Sequence, residues 1–308
     1  MTAFPFPAAV SVVIPTMNTR SALHDAVASA LAQEEVRVDV VVAMNGTGPS
    51  PEFTDPRVRL VHSDPADRGN GARMAGIHAA RHELIALLDD DDSWAPNKLA
   101  AQLGALHDRG VTGDNWVITC SIAEIDAVTK TRRIVPTELV TEVPSISRYL
   151  LARPGFYSVS PQFASSTMVF PRALALREPW DTSVRLHQDW EWLIRLERAQ
   201  GTRMMCLPEP LVVRLVSHAD SMTTAPDWRS SLRWGERHLS EHPARIRGDF
   251  FLTYPADRAG RAASLRGLLA CLGAGLRHGR PGVGAWAYFA VTALRALRNG
   301  VRRTGARS

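Results

Sequence analysis

Residues Leu84–Leu88 (LIALL) run directly into four consecutive aspartates, Asp89–Asp92. A short apolar run of this kind reads as a strand. Adjacent carboxylates repel one another, and without a cation they cost stability or take up protons. The junction predicts a strand whose carboxyl end opens into a polar loop, which is where open α/β sheets bind ligands. Hard divalent cations such as Mg or Mn prefer oxygen ligands and often bridge to phosphate oxygens. The alternative is a solvated turn capping a helix that starts near Pro96, a position that acidic residues favour.

The preceding chain supplies the rest of such a sheet. Ala8–Ile14 (AAVSVVI) reads as a buried strand ended by Pro15. From about Thr19 the spacing of Leu23, Val27 and Leu31 predicts a helix with an apolar stripe. Val38–Ala43 (VDVVVA) and Val58–His62 predict two more strands, and Gly71–Arg81 a helix. Strands alternating with helices at this spacing indicate parallel βαβ units. Three polar stretches, Pro15–Asn18, Met44–Thr47 and Asp89–Asp92, then fall at strand carboxyl ends and should converge on one cleft. Farther on, Trp116–Ile125, Ser166–Phe170, Met204–Leu207 and Leu211–Val216 read as strands, and Gln188–Ala199 as a helix. Beyond about Asp227 the chain reads as helical and rich in arginine. The expected organisation is an α/β domain over residues 1–225, with a mainly parallel sheet and flanking helices, and a helical region over 226–308.

The 308 residues, 45% of them apolar, suffice for one α/β domain and a smaller appendage. Three widely spaced cysteines, Cys120, Cys206 and Cys271, form no C-x-x-C pair. They argue against a disulfide framework or a zinc site and fit a reducing compartment, so a cytoplasmic location is expected. Met1–Val10 has no charged region before its apolar stretch, so no signal peptide is expected. No apolar run reaches the roughly 20 residues that span a bilayer. The net charge of +5 is unevenly placed: Arg258–Ser308 holds ten arginines and no acid, which leaves residues 1–257 at −5. An acidic body with a basic tail argues against nucleic-acid coating. Leu265–Leu276 and Ala285–Val301 are apolar-rich with arginines mostly at their ends. They suit a basic helix lying peripherally on the inner face of an anionic membrane, or a helical subdomain packed on the core or on a second subunit.

Four stretches occur in a specific order and spacing: VVIPTMN (Val12–Asn18), DRGNGARMAG (Asp67–Gly76), LIALLDDDDSWAPNKL (Leu84–Leu99) and HQDWEWLIRL (His187–Leu196). Together they resemble the family 2 inverting glycosyltransferases over about residues 10–220. The resemblance implies a GT-A fold, the type found in nucleotide-diphospho-sugar transferases. It also implies transfer of a sugar from a nucleoside-diphosphate donor to a hydroxyl on a glycan, a lipid-linked glycan or a small molecule, with Mn or Mg as cofactor. Asp89-x-Asp91 matches the family's DxD element, which makes Asp91 the metal ligand and Asp89 a nucleotide contact. Asp90 and Asp92 are read as spectators or supporting carboxylates, with Asp90 also placed among the nucleotide-sugar contacts. Pro15, Thr16 and Asn18 match the first nucleotide-binding loop. Arg73 matches the arginine of an A-R-N segment, with Met74 in place of Asn, and a donor contact and a structural salt bridge are both open to it. Gln188-Asp189-Trp190 resembles the E-D-W element, with Gln for Glu, whose aspartate is the catalytic base. Arg214, His218 and Ser221 resemble R-x-H-x-x-S-x-T with two extra residues between Arg and His. That match gives His218 a contact with the diphosphate or the metal, against the alternative of a surface histidine. The family's D-D-G-S or D-N-G-S stretch is Met44-Asn45-Gly46-Thr47 here; Asn45 can still donate to and accept from a base, and the missing Asp leaves the base unspecified.

The residues themselves admit the same chemistry. Inversion needs a base on the sugar face opposite the leaving diphosphate. A carboxylate in the first turn of a helix, as Asp189 would be, is kept ionised by the helix N-terminus, though such a residue can equally serve the helix alone. A metal would neutralise charge developing on the leaving group. Trp94, Trp180, Trp190 and Trp192 lie near these motifs, where they can stack on a sugar or fill the core. The stretch PTMNTR after the first strand lacks the glycine-rich loop of sugar nucleotidyltransferases, and Gly69, Gly71 and Gly76 lack G-x-G-x-x-G spacing. A catalytically inactive sugar- or partner-binding module of the same fold is the alternative.

Overall fold

The computed structural model describes residues 8–17, 21–136, 143–153, 155, 163–216 and 227–305. The first elements are β1 (Ala9–Thr16), α1 (Ser21–Leu31), β2 (Arg37–Met44), β3 (Val58–His62), α2 (Arg68–Ala79), β4 (Leu84–Leu87) and β5 (Asp92–Trp94). They continue with α3 (Lys98–Asp108), β6 (Trp116–Asp126), β7 (Arg132–Val135), α4 (Ile146–Leu151), β8 (Val169–Pro171), α5 (Arg172–Arg177), α6 (Gln188–Gln200) and β9 (Arg203–Val216). Four helices follow: α7 (Trp228–His238), α8 (Ala244–Arg261), α9 (Leu265–His278) and α10 (Val283–Gly305). The chain divides into two compact units, Met1–Ile146 with Ser160–Val216, and Ser147–Val159 with Ser217–Ser308.

In the first unit the strands form one sheet in the order β3-β2-β1-β4-β8-β6-β9-β5, with β7 added on β6. β1 lies between β2 and β4, parallel to both, and β2 is parallel to β3. The central strands are largely apolar because helices cover both faces; the buried Ser11 and Asp39 are exceptions, and Ser11 Oγ donates to Asp39 Oδ1 at 2.6 Å. Val10, Val12, Ile14, Val40 and Val42 pack with Leu23 and Val27 of α1 and Leu99 and Leu103 of α3. On α2, Gly76 permits close approach to β1, since a Cβ there would stand 2.3 Å from Val13 Cγ1.

The α/β architecture is as expected, but the sheet is mixed rather than mainly parallel. β6 and β9 are parallel, whereas β4–β8, β6–β8, β5–β9 and β6–β7 are antiparallel. Apolar runs carry no direction, so periodicity does not distinguish the two. The strand read at Ser166–Phe170 begins later, at Val169, because Ser165–Thr167 form a 3₁₀ turn. The two strands read over Met204–Val216 are one. Pairing passes over Pro208 and Glu209, with Leu207 opposite Cys120 and Pro210 opposite Ser121, as expected where proline cannot donate to the ladder.

The second unit is helical. Trp228, Ala256, Ala259, Leu268 and Cys271 form its core. Asp249, wholly buried on α8, accepts from the backbone amides of Arg153 and Gly282 at 2.8 Å each and pairs with Arg245 at 2.8 Å. Among the described residues no helix is long and apolar enough to cross a membrane.

Lys98 is fully buried in the first unit; its Nζ donates to Gln102 Oε1 at 2.9 Å and stands 4.0 Å from the centre of the Trp94 ring. Burial pushes its ammonium down to about 8. Between that value and the ordinary lysine range the unfolded chain binds more protons than the folded one, so this group makes stability rise with pH there. Thermal melts of Lys98→Met are expected to lose the part of the rise above pH 8 that the parent shows; identical pH profiles would contradict this.

Candidate active site

The carboxyl ends of β1, β2 and β4 meet. Asn45, just after β2, donates its backbone N–H to Thr16 O at 3.0 Å. Gly46 packs so closely that a Cβ there would lie 1.7 Å from Met17 O, an approach only glycine permits. Thr16 Oγ1 donates to Asp90 Oδ2 at 2.5 Å. Two of the three predicted polar stretches are thereby tied to each other, and the first also to the aspartate run. Pro15 is half-buried within β1. Asn45 is buried, and its Nδ2 meets no acceptor among the described residues. Asn18 and His218 lie outside the described residues.

The four aspartates take different environments. Asp92 starts β5 and is buried. It accepts from Ser166 Oγ at 2.5 Å and is gripped by Arg214 through Nε at 3.0 Å and Nη2 at 2.7 Å. Burial works against the Arg214 charge, and the facing Asp92 more than offsets it, so the guanidinium is held protonated. Asp89 is half-buried; its backbone N–H donates to Ser166 Oγ at 3.1 Å and its Oδ1 lies 3.5 Å from Arg73 Nη2. Asp91 is exposed at its tip. Desolvation, then the charges of Asp92, Asp89 and Asp90, push its carboxyl up to about 6, with Arg214 opposing. A carboxylate under that repulsion fits a hard cation, which would relieve it. Among the described residues no group of three His, Cys, Asp or Glu is arranged to hold a metal.

Arg73, on α2, joins the aspartates to α6. Its Nη1 donates to Asn70 Oδ1 at 3.0 Å and Gln188 Oε1 at 2.9 Å; its Nη2 donates to Ser165 Oγ at 2.8 Å. Nη2 also lies 3.9 Å from Asp189 Oδ1. The structural role open to Arg73 is therefore what the geometry shows: its side chain is 9% exposed, engaged on several sides, and borders Asp89. Asp189, in the first turn of α6, accepts from the Ser165 backbone N–H at 3.1 Å and from its hydroxyl at 2.9 Å. It keeps 21% of its side-chain surface open. The helix N-terminus favours the ionised form, but burial acts more strongly the other way and raises its pKa, against the pull of Arg73 and Ser165.

Ser165 and Ser166 were not legible as site residues. Their one mark in the sequence is a polar Ser-Ser-Thr between apolar stretches. Trp94 Nε1 donates to Ser166 O at 2.8 Å and Gln102 Nε2 to Thr167 O at 2.9 Å, which fixes the turn from behind. Trp94, Trp180 and Trp192 are core residues, the last two stacked with ring centres 3.6 Å apart. Trp190 is half-buried and stacks on His187 at 4.6 Å.

Residues 11–170, half of the chain, match Glycosyl transferase family 2. The chain belongs to this family. It is a glycosyltransferase of GT-A fold. Among similar family members, the amylovoran biosynthesis glycosyltransferase AmsB of Erwinia amylovora is 26% identical over 73% of this chain and 75% of its own length. The Escherichia coli enzyme WfgD, named a UDP-Glc:alpha-D-GlcNAc-diphosphoundecaprenol beta-1,3-glucosyltransferase, is 28% identical over 32% of this chain, and the match spans only 40% of WfgD. In fold, the chain is similar to residues 1–349 of S. aureus TarS, solved in complex with UDP: TM-score 0.53, 15% identity, covering 94% of this chain and 91% of that one.

Asp92→Ala would strand the Arg214 charge and is expected to cost about 3 kcal/mol in urea unfolding. The double variant Asp92→Ala/Arg214→Met should recover most of that loss. Equal losses in the two would show that the pair is not what holds β5 to β9.

Proposed function

We propose that this glycosyltransferase moves a sugar, with inversion, from a nucleoside-diphosphate donor to a hydroxyl of a polysaccharide or its lipid-linked precursor. Asp189 is the base, and a divalent Mn or Mg is held by Asp91. The observation that carries the proposal is Arg73 Nη2, which lies 3.5 Å from Asp89 and 3.9 Å from Asp189 and so links the aspartate run to the start of α6. AmsB's name supports polysaccharide biosynthesis, and WfgD's supports a lipid-linked acceptor. The UDP complex of TarS supports a nucleoside-diphosphate donor. Three free, buried cysteines support a cytoplasmic location.

Asp189 takes the proton of the acceptor hydroxyl as that oxygen attacks the anomeric carbon and the diphosphate departs. Its raised pKa makes it a better base than an ordinary carboxylate. Ser165 and Arg73 fix its orientation. The unsatisfied Asn45 Nδ2 is suited to the nucleotide base. Thr16, Pro15, Asp89, Asp90 and Arg73 line the donor's path, and Asn18 and His218 join them on sequence grounds alone. A cation, when bound, supplies Lewis-acid neutralisation of the leaving diphosphate. Asp91 together with phosphate oxygens and water suits such an ion, which needs few protein ligands.

Asp189→Asn is expected to lower kcat by about 10²- to 10⁴-fold while donor-induced thermal stabilisation persists. The acid limb of kcat/KM should lie above the ordinary carboxylate range. Ser165→Ala removes hydrogen bonds to the ionised form and should move that limb to higher pH; an unmoved limb would separate Ser165 from the base. Asp91→Asn is expected to raise the melting temperature without metal, by relieving like-charge repulsion. It should also abolish the Mn-dependent shift produced by the nucleoside diphosphate that binds the parent, tested among UDP, GDP, TDP and CDP. A retained Mn-dependent shift would remove Asp91 as the ligand.

A further inference from the structure

We propose that the outer faces of α9 and α10 dock this chain onto an anionic phospholipid bilayer. Both helices pack on α8. α9 turns Gly267, Leu268, Cys271, Ala274 and Gly275 inward, all buried. Its opposite side carries Leu265, Leu269 and Leu276, all exposed, Leu269 at 68%. α10 repeats the design: Ala285 and Ala296 are buried, while Val283 at 72%, Trp286, Leu294 at 56% and Leu297 are exposed. At about 100° per residue each exposed set forms a stripe on one side of its helix. The inner faces already supply the unit's core, so these outer stripes are surplus to folding. Exposed apolar stripes of this kind mark interaction surfaces.

Charge selects the occupant. Arg266 and Arg277 border the α9 stripe, and Arg295 and Arg298 border the α10 stripe; all four are exposed. No acid occurs from Arg258 to Ser308 to pair with them. A second copy bringing the same face against itself would set arginines against arginines on two helices that carry no acid of their own. An anionic bilayer satisfies both features. The leucines enter the acyl boundary, Trp286 sits at headgroup depth, and the guanidiniums take phosphate oxygens. The helices lie on the surface and do not cross it.

Vesicle co-sedimentation of the full chain tests this. Pelleting is expected with phosphatidylcholine vesicles containing about 30% phosphatidylglycerol, and about tenfold weaker pelleting with phosphatidylcholine alone. The variant Leu269→Gln/Trp286→Gln/Leu294→Gln changes exposed positions only and should keep the parent's melting temperature while losing binding. The variant Arg266→Gln/Arg277→Gln/Arg295→Gln/Arg298→Gln should lose the preference for anionic vesicles. Both should retain the parent's response to donor nucleotide, which keeps this result independent of the catalytic proposal. No pelleting with anionic vesicles would overturn the proposal, as would undiminished pelleting of the apolar variant. A concentration-dependent dimer that the apolar variant abolishes would also overturn it and give the face to a second copy.

Discussion

A nearly buried guanidinium holds the site together. Asp89 opens the aspartate run just beyond β4, and Asp189 sits at the start of a helix far along the chain. Two carboxylates in a half-buried cleft repel unless a cation stands between them. Arg73 is that cation, and α2 presses it into place because Gly76 lets the helix approach β1. Its amino groups are distributed over Asn70, Gln188, Ser165 and Asp89, so the charge is compensated by hydrogen bonds on several sides. Burying a charge without such partners would cost several kcal/mol. The Gln that replaces Glu in the family's E-D-W element is one of these partners: its neutral Oε1 accepts from Arg73 without adding a third carboxylate.

The second organising feature is the turn at Ser165–Thr167. Ser165 orients Asp189 through both its amide and its hydroxyl, and Ser166 accepts from the Asp89 amide while donating to Asp92. Asp189 and the aspartate run thus share one short segment. That segment is secured by Trp94, Gln102 and, behind them, the buried Lys98. A site placed this way is preorganised: a shift of the turn would move Asp189 and the aspartates together. Arg214 completes the frame by fixing Asp92 to β9, which leaves Asp91 as the exposed carboxylate facing its neighbours' charge.

The N-terminal half was legible because local and tertiary signals agree there. The strands of the parallel part of the sheet are nearly all apolar, so VVI, VDVVVA and LIALL stand out, and their polar ends mark the cleft without further help. Asp189 and Arg73 were singled out only through resemblance, since one Asp at a helix start and one Arg in a helix have no distinguishing pattern; the structure brings the two side chains to 3.9 Å. Ser165 and Ser166 were hidden because a Ser-Ser-Thr turn has no periodicity and gains its meaning from partners distant in sequence. β5 was hidden inside the aspartates because three residues make a strand only by pairing with β9. The mixed sheet was hidden because strand direction depends on connections rather than composition. In the C-terminal region composition did show the basic, apolar helices, but which side of each is covered needed the packing on α8.

In the proposed reaction, a single displacement at the anomeric carbon with Asp189 opposite the departing diphosphate would draw the aspartate run, the Arg73 bridge and the Ser165 turn into one event. Its stereochemistry can be read without knowing the acceptor. Slow transfer of the donor sugar to water can be followed by proton NMR, and the anomer released first, before mutarotation, recorded. With an α-linked nucleotide sugar the β anomer is expected to appear first, and Asp189→Asn should suppress it. Release of the α anomer first would contradict a single displacement and with it the role given to Asp189.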